Sequence, residues 1–285
     1  MGLGGHLMWS AAFHEIFLKT GKRIFPLEHG RFCHSSIFHN NPVITGVADE
    51  MTFMVNMSNP QTNYCKCDTP TYAKHRYDKH IVQQILEFYK IDVSMDNIRP
   101  RLYLTDQEIK QVDELCRNLP KDFITIEPYT NTEYTVNREY PFDRWQWAVD
   151  RFCNLDIPVV QVGTSPKLLN GVIDLRGKTS FRTCAGVIGR SRLFMSTEGG
   201  LVHASTAMNT PTVCVITGYQ HEDMVAYPCN KNLWIHGDHG PCGTKVPRCP
   251  SCWKAVNEVQ PGVVVSAALE LLNWNYQNCD QVLDD

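Results

Sequence analysis

Apolar residues along the second half of the chain fall into short runs separated by stretches with helical spacing. Phe123 to Glu127, Ile157 to Val162, Val172 to Leu175, Leu193 to Met195 and Thr212 to Ile216 read as strands. Between them, Phe142 to Phe152 and Ser180 to Gly189 carry apolar residues on one helical face, and a last helix spans about Val263 to Trp274. Thr105-Asp106-Gln107-Glu108 forms a capping box, so a helix starts at Asp106 and runs to Asn118 before Pro120. Strands and helices alternating at this spacing predict an α/β fold, with a parallel sheet covered on both faces.

The first half is less regular. GLGGH (residues 2 to 6) reads as a glycine turn, followed by a helix from about Leu7 to Lys19 and a strand from Arg23 to Leu27. No strand precedes that turn, so the expected sheet there is one strand short, or its first strand is missing. From His29 to about Pro70 the pattern is weak. His29, His34 and His39 read as loop residues, Cys65 and Cys67 as a loop or buried pair, and Val43 to Val47 as a strand ending at Asp49-Glu50. A helix follows from about Tyr77 to Tyr89. The segment from Asp92 to Arg101, stopped by Pro100, reads as a connection, which puts a domain boundary between residues 98 and 99.

Composition excludes more than it assigns. The chain has 285 residues, 43% of them hydrophobic, with a net charge of -3, which gives no support to a general nucleic-acid binder. No apolar run reaches the ~18 residues of a membrane span, and Met1 leads into a glycine-rich segment rather than a signal peptide. There are 12 cysteines; Cys116, Cys153, Cys184 and Cys214 sit singly in apolar segments, as reduced thiols do. These features predict a cytoplasmic protein.

The densest chemistry lies in LFMSTEGGLVHASTAMNTPTVCVITGY, residues 193 to 219. Gly199 and Gly200 allow a sharp strand-to-helix turn, and the helix beyond them points open N–H groups and its positive end into that turn. Such a βαβ mouth suits an anion such as a phosphate. Glu198 and His203 flank it. Cys242, Cys249 and Cys252, with His239 or Cys229 as a fourth member, form a weak zinc candidate set; reduced thiols and a disulfide staple are the alternatives.

Taken in order, FITIEPY with its Thr-rich loop, REYP-FDRW, VVQVG, DLRGKTSF, TEGGLVHASTAMNTPTV and Cys249-Pro-Ser-Cys252-Trp resemble the heptosyltransferase-like glycosyltransferases (glycosyltransferase family 9) from Arg99 to about Leu272. The resemblance implies a GT-B fold of two facing Rossmann-like domains. Residues 1–98 would be a reduced acceptor-side domain and 99–285 the nucleotide-sugar domain. It implies transfer of a sugar from a nucleotide-diphosphate donor to an acceptor hydroxyl of a surface glycan or lipopolysaccharide, with peripheral membrane association through that acceptor.

By the same resemblance Arg138 stands where the family has a phosphate-binding lysine. Thr130 and Thr132 stand in its hydroxyl-bearing loop, Glu198 at an aspartate, and Gly199, Gly200 and His203 in the donor cradle. Thr164, Ser165 and Lys167 replace a ribose-gripping glutamate. The family's general base, an aspartate, is replaced by Gly5, which leaves His6 as the nearest substitute and Asp49 or Glu50 as others. No Asp-x-Asp pair is present to hold a divalent metal. The expected enzyme is therefore inverting, metal-independent and without a required cofactor. A protein that binds nucleotide-sugar or glycan on the same fold without catalysis is the alternative.

Overall fold

The computed structural model describes residues 2–59, 65–69, 72–238 and 240–273. The first half consists of α1 (Leu3–Thr20), β1 (Arg23–Glu28), β2 (Arg31–Phe32), β3 (Thr52–Asn56), β4 (Cys65–Thr69), β5 (Tyr72–His75) and α2 (Ile81–Phe88). The second comprises α3 (Asp106–Cys116), β6 (Ile124–Glu127), α4 (Phe142–Asn154), β7 (Val159–Gln161), β8 (Ile173–Asp174), α5 (Phe181–Arg190) and β9 (Phe194–Thr197). It continues through α6 (Gly200–Ala207), β10 (Thr212–Thr217), α7 (Glu222–Val225), β11 (Lys231–Ile235), α8 (Pro250–Glu258) and α9 (Gly262–Leu271).

A six-stranded, fully parallel sheet in the order β11-β10-β9-β6-β7-β8 organises the second half. Its strands are apolar on both sides, and alternate residues enter two different cores. Val160, Phe194, Cys214 and Ile216 face one cluster, and Val159, Met195, Val213 and Val215 face the other. α4 and α9 cover the second face with Trp145, Phe152, Val264 and Ala268. The first half has a three-stranded sheet, β2-β1-β3, in which β1 and β3 are parallel, and a separate β4-β5 hairpin.

Several expectations are corrected. GLGGH is the first turn of α1, not a turn ahead of it. A Cβ on Gly4 would sit 3.0 Å from the Gly200 Cα, so glycine is needed for α1 to lie against α6. That packing outweighs the cost, about 1 kcal/mol each, of glycine in a helix. The run Val43 to Val47 contributes a single bridge, Ile24 to Ile44, because Asn41 closes a turn by accepting from the Val43 N–H. The helix expected from Tyr77 starts at Ile81, where His80 and Gln83 form a capping box. Beyond Tyr219, α7, β11 and α8 continue the fold. The capping box at Thr105 and Glu108 is present as read.

The two halves share one core. Leu7, Trp9, Phe13 and Ile16 of α1 belong to the same apolar cluster as Val187, Val202 and Ala204. Arg182 of α5, 4% exposed, reaches across as well: its guanidinium pairs with Glu108 at 2.6 Å and donates to the Ser36 and Tyr103 carbonyls. That guanidinium holds the Glu108 carboxyl down at about 2.

Candidate active site

A cavity of about 740 Å³ opens at the C-terminal edge of the parallel sheet, where open α/β sheets bind ligands. Its floor is the turn from β9 into α6. Glu198, Gly199 and Gly200 line it, and the first turn of α6 has no side-chain cap, so its N–H groups and positive end face the cavity. Across from it, Gly2 to Gly5 bring the N-terminal end of α1 to the same space.

Arg138 enters from the loop after β6. Its guanidinium lies 5.1 Å from the Tyr134 ring centroid and 5.3 Å from that of Tyr219, within cation–π range of both rings, which meet each other edge to face. Nε is 3.2 Å from Glu198 Oε2, and Nη2 donates to Gln220 Oε1 at 2.8 Å. Glu198 Oε1 is 3.5 Å from His203 Nε2, and His203 Nδ1 meets the Tyr227 hydroxyl at 2.9 Å. Cation, carboxylate, imidazole and phenol therefore form one chain beneath the cavity, fixing Arg138 before any ligand arrives. His80 packs on Tyr227, and burial together with the nearby His203 pushes its imidazole down to about 3, which keeps it neutral.

Thr130 lines the cavity and shares a 2.7 Å hydrogen bond with the Thr197 hydroxyl. Thr132 is half-buried and lies outside the lining. The cavity thus gathers Thr130, Arg138, Glu198, Gly199, Gly200 and His203. It does not gather His6 or Asp49. His6 is buried under α1, with Nδ1 2.8 Å from Ser35 Oγ and Nε2 3.5 Å from Glu28. Asp49 is exposed and caps a turn by accepting from the Met51 N–H. A base acts only within hydrogen-bond reach of its hydroxyl, and neither position supplies that reach into the cavity. From α1 and α2 the lining is Gly2, Leu3, Gly4, Gly5, Met8 and Ile81, and none of these side chains ionises.

The sequence reading passed over Glu127. It ends β6, is 6% exposed, and lines the cavity. Its two carboxylate oxygens accept from the Tyr129 and Thr164 N–H groups, each at 3.0 Å. A carboxylate closing an otherwise apolar strand, ITIE, at the ligand-binding edge was the available signal. Burial pushes its carboxyl up to about 8 against the opposing pull of those N–H groups and of Arg176. In the unfolded chain the group titrates near 4.5, so folding favours the protonated form. That contribution is complete below about 4.5 and is lost as pH rises through about 8. Thermal melts of the wild type should therefore fall between about pH 5 and 9 with an added slope that Glu127→Gln lacks. The amide turns an NH₂ towards one of the two N–H donors, so the variant should melt lower at pH 5 and approach the wild type by pH 9. Parallel curves would show that the carboxyl titrates in its ordinary range.

A family model for glycosyltransferase family 9 (heptosyltransferase) matches residues 65–250. The chain belongs to glycosyltransferase family 9. A search of curated proteins by sequence found no match. Among solved structures, a family 9 glycosyltransferase from Veillonella parvula is 12% identical with a TM-score of 0.71, over 96% of this chain and 95% of that one. The iron-containing dodecameric heptosyltransferase TibC of E. coli, solved in complex with ADP-D-β-D-heptose, is 14% identical with a TM-score of 0.66, over 96% and 74%. The E. coli ADP-heptose lps heptosyltransferase II is 14% identical with a TM-score of 0.52, over 68% and 62%. These likenesses establish the fold as that of the GT-B glycosyltransferases, and the family 9 match makes the chain a glycosyltransferase.

Proposed function

We propose that this family 9 glycosyltransferase takes a sugar from a nucleoside-diphosphate donor and passes it, with inversion and without a metal at the reacting centre, to a hydroxyl of a surface glycan of the lipopolysaccharide type. The observation that carries this reading is the meeting of the uncapped α6 N-terminus, Arg138 beside its two tyrosine rings and the Thr130–Thr197 hydroxyl pair in one cavity. A departing diphosphate needs its charge met by fixed donors, and these groups are held in place beforehand. The absence of an Asp-x-Asp pair from the sequence fits charge neutralisation by Arg138 and helix N–H groups. Glu127, which lines the cavity and whose carboxyl burial pushes up to about 8, suits a hydroxyl of the donor's ribose or sugar.

Two of the structural neighbours are named for ADP-heptose, which makes that donor the first to try. Residues 1–98 serve in this reading as the acceptor side and 99–285 as the donor side. Among the described residues no helix is long and apolar enough to cross a membrane. Placement in the cytoplasm, with contact to a membrane through the acceptor, is part of the same proposal.

Isothermal titration against ADP-, GDP-, UDP- and dTDP-sugars tests it. One donor should bind, transfer should proceed equally with and without added Mg²⁺ or Mn²⁺, and NMR of the product should show an inverted anomeric centre. Failure of all four donors to bind would refute the reading. Binding without transfer over a broad acceptor panel would mark a donor-binding protein instead.

A further inference from the structure

His6, which does not reach the cavity, belongs to a separate cluster that the transfer chemistry leaves unused. Three elements bring this cluster together. His6 comes from the N-terminal end of α1, Glu28 ends β1, and Cys33 directly follows β2. His6 and Cys33 are buried, and Glu28 is half-buried.

The three ligand-type atoms form a small triangle. His6 Nε2 lies 3.5 Å from Glu28 Oε2 and 3.9 Å from Cys33 Sγ, and Cys33 Sγ lies 3.6 Å from Glu28 Oε2. A tetrahedral ion with bonds of about 2.0–2.2 Å to nitrogen or oxygen and about 2.3 Å to sulfur holds such atoms roughly 3.3–3.6 Å apart. The trio therefore matches one face of a tetrahedron to within about 0.4 Å. Hydrogen bonding does not close it equally well, because 3.5 Å between Nε2 and Oε2 exceeds the usual range.

The surroundings prepare each atom for an ion. His6 Nδ1 lies 2.8 Å from Ser35 Oγ, which also accepts from the Ile37 N–H, and the Phe38 ring packs 5.4 Å from the imidazole. A proton on Nδ1 donated to the Ser35 hydroxyl leaves the Nε2 lone pair facing Glu28 and Cys33, as it does in histidines that bind metal. Burial pushes the Cys33 thiol up, against the opposing pull of the Ser35 N–H. A dication would offset that burial: neutral imidazole, carboxylate and thiolate together carry two negative charges, so the loaded site would hold no net buried charge.

We propose that His6, Glu28 and Cys33 bind one divalent ion of the zinc class, with a fourth position for water or another small ligand. Mixed nitrogen, oxygen and sulfur donors favour such an ion over magnesium or calcium. The ion stands apart from the reacting centre and is structural. It ties α1 to the β1-β2 hairpin and so steadies Leu3, Gly4 and Gly5, which line the cavity. Its binding does not rest on the donor-site reading above.

The sulfur atoms of Cys242, Cys249 and Cys252 also lie within 4.8 Å of one another, so the test first removes that second thiol set. In a Cys242→Ser/Cys249→Ser background, zinc titration should still load one equivalent. X-ray absorption at the zinc edge should then fit a single sulfur at about 2.3 Å, with nitrogen and oxygen at about 2.0–2.2 Å. Adding Cys33→Ser or His6→Ala to the background should weaken zinc binding at least a hundredfold, with far-UV circular dichroism unchanged. The absorption measurement keeps all three ligands, so it decides the matter even where a variant unfolds. No bound equivalent in the background, two or more sulfurs around the ion, or full affinity in both folded variants would overturn the site.

The tie between α1 and the hairpin has its own readout. Zinc should slow tryptic cleavage after the exposed Arg31 several-fold in the background and leave it unchanged once Cys33→Ser is added. A bound ion that leaves cleavage at Arg31 unaltered would refute the tie. Zinc loading without binding of any nucleotide-sugar would count against the donor-site reading and leave this site standing.

Discussion

Arg138→Ala is expected to lower kcat/KM by two to three orders of magnitude, the range found when a preorganised charge donor to a transition state is removed. The arginine lies beside the rings of Tyr134 and Tyr219 and is paired with Glu198, so little reorganisation is needed when a diphosphate leaves. Loss of the guanidinium also takes a counter-charge from Glu198, which is 6% exposed, and breaking such a buried pair costs about 3–5 kcal/mol. The two effects can be separated. In Arg138→Ala/Glu198→Gln the stability should largely return, because no buried charge is left behind, while turnover should stay low. Arg138→Lys should fall between, since an ammonium keeps the charge and loses the planar fork. Equal steady-state kinetics for Arg138→Ala and wild type would remove Arg138 from the mechanism.

The second large effect is expected at Gly163, which follows β7 in the left-handed region at φ +81°. A Cβ there would stand 1.2 Å from Glu127 Oε2 and 2.4 Å from its Cδ, so Gly163→Ala must expel the carboxylate from its niche. Backbone strain of about 1 kcal/mol adds to the loss of two buried hydrogen bonds, for a total of roughly 3 kcal/mol or more. A fall in thermal midpoint of roughly 6–12 °C follows. In a Glu127→Ala background the clash vanishes, and the same substitution should cost only the strain term. Additive effects in that double-mutant cycle would show that Gly163 is not required by Glu127.

What could be read in advance follows the range of each interaction. The capping box at Thr105 and the β9-α6-β10 unit are written within a few consecutive residues, and the structure has both. The helical role of Gly4 depends on Gly200, nearly 200 positions away, so GLGGH looked locally like a turn. The same distance effect hides the ring pair beside Arg138, because Tyr134 and Tyr219 share no local pattern. His6 is marked by its neighbourhood in sequence, yet a helical residue next to the lining Gly5 can face away from the cavity, and His6 packs against Ser35 and Glu28. Glu127 was legible in principle as a carboxylate closing an apolar strand. Its niche depends on the Thr164 N–H, 37 positions further along the chain, which no local pattern announces.

The apolar cluster that runs from α1 into α6 has a thermodynamic consequence. α1 lies against α2 and β1 on one side and against α6 on the other, with Trp9 and Phe13 fully buried. Separating the halves would uncover apolar surface on both sides of the shared cluster, and Arg182 would lose its carbonyl partner at Ser36. The second half keeps its own cluster around Trp145 and Val264, but the first half has no cluster apart from the shared one. Parting the halves would therefore cost the burial of Trp9 and Phe13, so the shared cluster couples the stability of the first half to that of the second.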